Sequence, residues 1–331
     1  MEELYEWLTN IDKLDFSDKS ILILGSGKIA DQYVFALQKM NVKNITVISR
    51  KGLENDHIKN SLGVKILDGG FEKHLPNFKK QDLVIVALPT ESLLTAAEMA
   101  LEFGQTNILI EKPGVLLPEK LDLLEKFEKN ATIRIGYNRL LYPNFHKLKQ
   151  LIDNDGGILS VKFTFTEWID MIDFSNYDDQ TLKFWGIQNS LHVISMVLDL
   201  IGDFKQLSSF KNGKLNWHPS GSCFVGSGIS EQNIPFSYHA DWESGDRWGM
   251  EIFTKKNSYK LIPLEELYQC PKNSQTYNLI PFKKAYAETK QGLSEEIALM
   301  LSQNLDTTSF VTISKAKKFI KTAQKIFGYT Y

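Results

Sequence analysis

Ile21-Leu22-Ile23-Leu24-Gly25-Ser26-Gly27-Lys28-Ile29-Ala30 is the stretch on which the reading of this chain turns. Four consecutive apolar residues predict a strand buried on both faces. The two glycines predict a tight turn, and Lys28-Ile29-Ala30 opens a helix. That order brings backbone N–H groups, and the partial positive charge of a helix N-terminus, to one point where a pyrophosphate fits. Gly25 permits the turn, and Gly27 leaves no Cβ between backbone and phosphate. Ala30 is small enough for the helix to lie close to the strand. Ser26, Lys28 and Ile29 complete the expected phosphate-binding turn. The alternative is a purely structural strand–turn–helix corner.

Outward from this turn, apolar strands alternate with helices. Strands are read at 45–48, 64–67, 83–88, 107–110 and 132–137, and helices over 28–40, 91–103 and 118–129. Such alternation predicts an α/β unit of the Rossmann type, a doubly wound parallel sheet covered on both faces. A short amphipathic helix is read over 2–14. Near 139 the pattern changes to a helix over 142–153 and then a period-two strand over 161–168. A strongly apolar helix follows over 188–201, then several strands with turn signals between 204 and 263. Helices around 293–303 and 313–326 close the chain. The expected organisation is a dinucleotide-binding domain over 1–139, with an N-terminal helical extension, and a substrate and oligomerisation domain over 140–331.

Composition excludes several classes. The 331 residues carry a net charge of -2, with 24% charged and 43% hydrophobic residues, so no basic surplus points to nucleic acid. The two cysteines, Cys223 and Cys270, make neither a disulfide framework nor a zinc cluster, and a reducing compartment is expected. The acidic opening residues have no long apolar core, and no apolar run is long enough to span a bilayer. A cytoplasmic protein without membrane partners is the expectation. The histidines at 57, 74, 146, 218 and 239 show no metal-ligand spacing, and no metal is expected.

The second strand ends in Ser49-Arg50-Lys51, where an NAD-preferring domain places an acid for the ribose 2′-hydroxyl. A hydroxyl, a guanidinium and an ammonium suit a 2′-phosphate instead, so NADP is expected over NAD. Glu111-Lys112-Pro113 stands at the carboxyl end of a parallel strand, where open α/β sheets bind ligands. A lysine there can stabilise developing alkoxide charge. In the apolar 188–201 helix the polar residues Gln188, His192, Ser195 and Asp199 are spaced 4, 3 and 4, which predicts one polar stripe on a buried helix. Asp199 lies about 16 Å along the axis from Gln188, outside the same site. His192 in such a stripe can take and return a proton near neutral pH. Tyr137-Asn138-Arg139, Trp168 and Trp185 combine aromatic faces with hydrogen-bonding groups, which suits a polyol or sugar.

Taken together, Gly25-x-Gly27-x-x-Ala30, Leu88-Pro89-Thr90-Glu91, Glu111-Lys112-Pro113, Tyr137-Asn138-Arg139 with Pro143, and His192 followed by Gly202 resemble the glucose–fructose oxidoreductase/inositol dehydrogenase/rhizopine-catabolism (Gfo/Idh/MocA) family. The resemblance runs from about 20 to 328. It implies a nicotinamide-binding domain followed by an α+β domain with an open, largely antiparallel sheet that often mediates dimers or tetramers. It implies Lys112 and His192 as catalytic residues, and Leu88, Pro89, Thr90 and Glu111 beside the cofactor. The expected substrate is a secondary alcohol or ketone of a sugar, cyclitol or sugar nucleotide. Several departures stand out. Gln188 and Asn189 occupy positions where the family often has an Asp before the histidine. Ser195 replaces an Asp after it, and Leu93 replaces a histidine. The leader before the first strand is also longer. The missing acids raise the alternative of a non-catalytic cofactor- and sugar-binding sensor on the same fold.

Overall fold

In the computed structural model, residues 2–50, 63–302 and 310–329 are described. The chain divides into two units, one of residues 7–141 and 284–317, the other of residues 1–6, 142–283 and 318–331.

The first unit is built on six strands: β1 (Ser20–Leu24), β2 (Asn44–Ser49), β3 (Val64–Asp68), β4 (Leu83–Val86), β5 (Asn107–Glu111) and β6 (Thr132–Gly136). Their order is β3-β2-β1-β4-β5-β6 and every pairing is parallel. Ile21, Leu22, Ile23 and Leu24 of β1 and Leu83, Val84, Ile85 and Val86 of β4 are wholly buried. Both faces of these strands are covered, which is why they read as unbroken apolar runs. The order reverses between β1 and β4, the switch point at which a doubly wound sheet opens a crevice. Residues 284–317 come back to this unit late in the chain. They supply the helix Leu293–Leu301, which packs against the helix Lys28–Lys39, and Val311, which bridges to Ile135 of β6. The helix expected over 118–129 is instead a 3-10 turn at Pro118–Leu121 and a short helix at Asp122–Glu125. Beyond it, Phe127 N–H donates to Leu124 O and Glu128 N–H to Glu125 O, the tighter pattern that does not propagate as an α-helix.

The second unit carries eight strands: β7 (Ile158–Phe165), β8 (Phe204–Asn212), β9 (Cys223–Ser230), β10 (Pro235–Asp241), β11 (Trp248–Thr254), β12 (Asn257–Leu261), β13 (Tyr268–Pro271) and β14 (Asn278–Leu279). Their order is β14-β13-β12-β11-β7-β10-β9-β8; β7 and β10 run parallel and the other pairs antiparallel. Along β10, Phe236, Tyr238 and Ala240 are buried while Pro235, Ser237 and His239 are exposed, so one face holds the core. Phe163 and Phe165 of β7 each bring a ring centroid to 5.5 Å from that of Tyr238. The helix Leu191–Ile201 packs on β7 and β11. The strand expected over 161–168 is shifted: pairing with β11 starts at Ile158 and ends at Phe165, which leaves Thr166, Glu167 and Trp168 beyond the sheet.

Candidate functional site

In the first unit the carboxyl ends of β1, β2, β4 and β5 meet at one edge of the sheet. Gly25 N–H donates to Ile48 O of β2, which locks the turn after β1. Gly25 adopts φ +115°, and a Cβ on it would stand 2.2 Å from the Ala87 carbonyl oxygen beyond β4. Its glycine is therefore required by the protein's own backbone. Gly27 is different. It has φ -76° and ψ -176°, which any residue adopts, and a Cβ there meets nothing within 4 Å among the described residues. It precedes the helix Lys28–Lys39, whose first turn receives no side-chain cap. An uncapped, open, electropositive helix start fits a phosphate group.

Ser26, Ile29, Leu88 and Thr90 are partly exposed here, and Gly27, Lys28, Arg50 and Pro89 are exposed. Ser49 is buried, and its Oγ lies 3.0 Å from Ser26 Oγ, which ties the glycine turn to the end of β2. Lys51 lies outside the described residues. Glu111 ends β5 and is buried; Lys112 follows it, partly exposed, in a turn closed by Gly114 N–H donating to Glu111 O. Burial raises the Glu111 carboxyl, opposed by its hydrogen bond from Tyr33 and by the charge of Lys112. Tyr137 and Asn138 are buried and Arg139 is partly exposed. Asn138 Nδ2 donates to Gln291 O, so this side chain clamps the turn before the Leu293–Leu301 helix.

The second unit assembles a polar and aromatic cluster around the start of its buried helix. The helix expected over 188–201 is α-helical only from Leu191; Gly186–Ser190 forms a π turn. That wider turn changes the phase of Gln188, so Gln188 does not continue the α-helical stripe. Its members further along the helix have partners of their own. Ser195 Oγ donates to His192 O, and Asp199 pairs with Lys149. His192 is buried, its ring centroid 5.6 Å from that of Trp248.

Glu167, just past β7, accepts hydrogen bonds from Asn189 Nδ2 at 2.7 Å and Ser190 Oγ at 2.6 Å, and pairs with Arg247 at 3.4 Å. The Arg247 guanidinium lies 4.7 Å from the Trp168 ring centre and 4.2 Å from that of Trp248. Burial raises the Glu167 carboxyl, against the lowering by Ser190, Arg247 and Asn189. Trp168 is half exposed, whereas Trp185 is buried edge-on between Tyr177 and Trp217. Sequence reasoning missed Glu167 and Arg247. The polar end of an otherwise period-two strand was the available signal for Glu167; Arg247, in a charged turn, gave none.

The model of an oxidoreductase family with an NAD-binding Rossmann fold, named for glucose–fructose oxidoreductase, inositol dehydrogenase and rhizopine catabolism, matches residues 19–138. Residues 19–138 are thus similar to the nucleotide-binding domain of that family. No curated protein matches the chain. Solved structures similar to it include UDP-N-acetylglucosamine 3-dehydrogenase from Acidithiobacillus ferrooxidans, at 15% identity and TM-score 0.69, covering 93% of this chain and 96% of that one. Scyllo-inositol dehydrogenase from Lactobacillus casei, with bound NAD(H) and scyllo-inositol, has 17% identity and TM-score 0.68, covering 93% and 95%. Biliverdin reductase from Synechocystis, with biliverdin and NADP+, has 15% identity and TM-score 0.69, covering 94% and 99%. At these identities the likeness is one of fold. The family match over residues 19–138 supports an NAD(P)-dependent oxidoreductase. Among the described residues, no helix is long and apolar enough to cross a membrane.

Proposed function

We propose that the chain is an NADP-preferring oxidoreductase acting on a secondary alcohol or ketone of a sugar, cyclitol or sugar nucleotide. The observation that carries the cofactor reading is the pair Gly25 and Gly27: the first is demanded by the Ala87 carbonyl, the second by nothing among the described residues. A glycine with empty space before its Cβ at an uncapped helix start is explained by a phosphate that must approach the backbone. Arg50 and the tied Ser26–Ser49 hydroxyls at the end of β2 support a 2′-phosphate over a ribose diol. The substrate class is supported by the inositol and sugar-nucleotide dehydrogenases that share the fold.

When bound, the nicotinamide supplies or accepts the hydride. The chain's own contribution is charge and proton handling. The Lys112 ammonium, at the end of β5, stabilises negative charge as it develops on the substrate oxygen. His192 takes or returns the hydroxyl proton. Glu167 supplies a buried acid beside Asn189 and Ser190, at the start of the helix, which carries no acid of its own there, and this favours the enzyme over a sensor.

The test follows nicotinamide absorbance while NADP-loaded protein meets a panel of sugars, cyclitols and sugar nucleotides, and NADPH-loaded protein meets the matching ketones. Turnover is expected with at least one compound. Lys112→Met should cut it by at least about a hundredfold at unchanged cofactor affinity. His192→Asn should cost about 10²–10⁴ in rate. Silence across the panel, with clear thermal stabilisation by a sugar, would replace the enzyme with a sensor.

A further inference from the structure

One buried hydroxyl in the first unit is shared between two carboxyl groups. Tyr33, on the helix Lys28–Lys39, places its Oη 2.8 Å from Glu111 Oε1 and 3.0 Å from Glu296 Oε2. Glu111 is the first residue of the Glu-Lys-Pro turn, and Glu296 lies in the first turn of the helix Leu293–Leu301. Tyr33 and Glu296 are wholly buried, and Glu111 is 8% exposed. A phenolic hydroxyl has one hydrogen and donates it to one oxygen. The second close contact needs a hydrogen from a carboxyl. The three groups therefore hold two protons, whereas in neutral water they would hold one.

We propose that Glu296 carries the extra proton and donates it to Tyr33 Oη, that Tyr33 donates to an ionised Glu111, and that this relay positions the Lys112 turn. The surroundings choose between the two carboxyls. Glu111 has Lys112 beside it, accepts the Lys112 backbone N–H and is drawn by the charge of Lys290. Glu296 faces Glu111 and Glu295, which repel a second negative charge, and only Lys290 attracts it; Arg139 stands beyond Lys290. Glu296 Oε1 is buried without a hydrogen-bond partner among the described residues, which a neutral acid tolerates far better than a carboxylate. Burial raises Glu296 well above the ordinary carboxyl range and raises Glu111 less, while the Tyr33 hydroxyl is held protonated by burial and by both acids. The relay joins the helix of the glycine turn to the lysine turn through one proton-bearing side chain.

The proton assignment stands on its own; its consequence for Lys112 rests on the catalytic role proposed above. Infrared spectra of the full chain, with and without 13C-labelled glutamate, test the first. At pH 8 the wild-type-minus-Glu296→Gln difference should contain a protonated carboxyl stretch. The wild-type-minus-Glu111→Gln difference should contain the paired carboxylate bands. The reverse assignment, or carboxylate bands in both, overturns it; the Glu111→Gln arm decides alone if Glu296→Gln does not fold. Turnover on the panel substrate tests the second. Glu296→Leu should lower kcat about tenfold without weakening NADP(H), and Glu296→Gln, which keeps a hydrogen for Tyr33, should restore most of it. Equal damage by both variants, with Lys112→Met still inactive, overturns the relay and leaves the role of Lys112 standing. An unaffected Lys112→Met overturns that role and leaves the infrared result standing.

Discussion

At the scale of single residues, two glycines two positions apart answer to different demands. Gly25 is fixed by φ +115° and by the Ala87 carbonyl, Gly27 by neither backbone angle nor any neighbour among the described residues. Both read alike in the sequence, because a glycine motif does not state which atom comes close. Arg50 is the residue on which cofactor choice rests. It is exposed at the end of β2, next to the buried Ser49. Losing a charge-assisted contact to a phosphate costs about 1.5–3 kcal/mol, roughly ten- to a hundredfold in affinity. Arg50→Ala should weaken NADP by that factor and leave NAD nearly unchanged when both are titrated against intrinsic fluorescence. Equal weakening of both cofactors would remove the 2′-phosphate from this residue.

Among elements, the π turn Gly186–Ser190 and the C-terminal end of the helix Ile313–Phe327 meet within the second unit. A Cβ on Gly186 would stand 2.2 Å from the Phe327 ring, and Gly186 N–H donates to Tyr329 Oη at 2.9 Å. Tyr329 in turn contacts His218. The Gly221 carbonyl can only accept, so His218 Nδ1 carries the hydrogen at 2.7 Å and Nε2 accepts from Tyr329 at 2.7 Å. Both ring nitrogens are engaged in the neutral form. Burial pushes the imidazolium pKa down from 6.5 to about 4.

The folded state thus refuses a proton that the unfolded chain takes. Stability from this group is complete above pH 6.5 and is lost as pH falls through about 4. The loss is about 3 kcal/mol. Urea unfolding across this range should show it, and His218→Gln, which cannot charge, should flatten that part of the curve. An unchanged acid limb in the variant would show that His218 is not the group responsible. Helix periodicity could not reveal the contact at the π turn, since Gly186 and Phe327 are far apart in sequence.

For the whole molecule, legibility followed burial. Strands β1, β4 and β5 were readable because a strand covered on both faces must be apolar throughout. The strands of the second unit were readable because a sheet with one core face alternates. The return of residues 284–317 to the first unit was not, because Leu293–Leu301 looks like any apolar helix and its partner helix lies at the other end of the sequence. The same distance hid the relay: Glu296 reads as an ordinary acidic first turn of a helix, and only folding brings it to Tyr33 and Glu111.

The nicotinamide-dependent chemistry proposed here begins with a dinucleotide on the turn after β1, and Gly27→Asp isolates that step. An Asp at this N-cap finds open space and favourable helix capping, so the apo protein should unfold at the same or higher urea concentration than wild type. Its carboxylate would face the cofactor phosphates, and a like charge at about 4 Å costs about 4 kcal/mol at an effective dielectric near 20. Titration of NADPH into wild type and Gly27→Asp is the decisive measurement: saturable binding to wild type and a loss of at least about a hundredfold in the variant are expected. Undiminished NADPH binding by a folded Gly27→Asp protein, or no binding by wild type, would contradict the account.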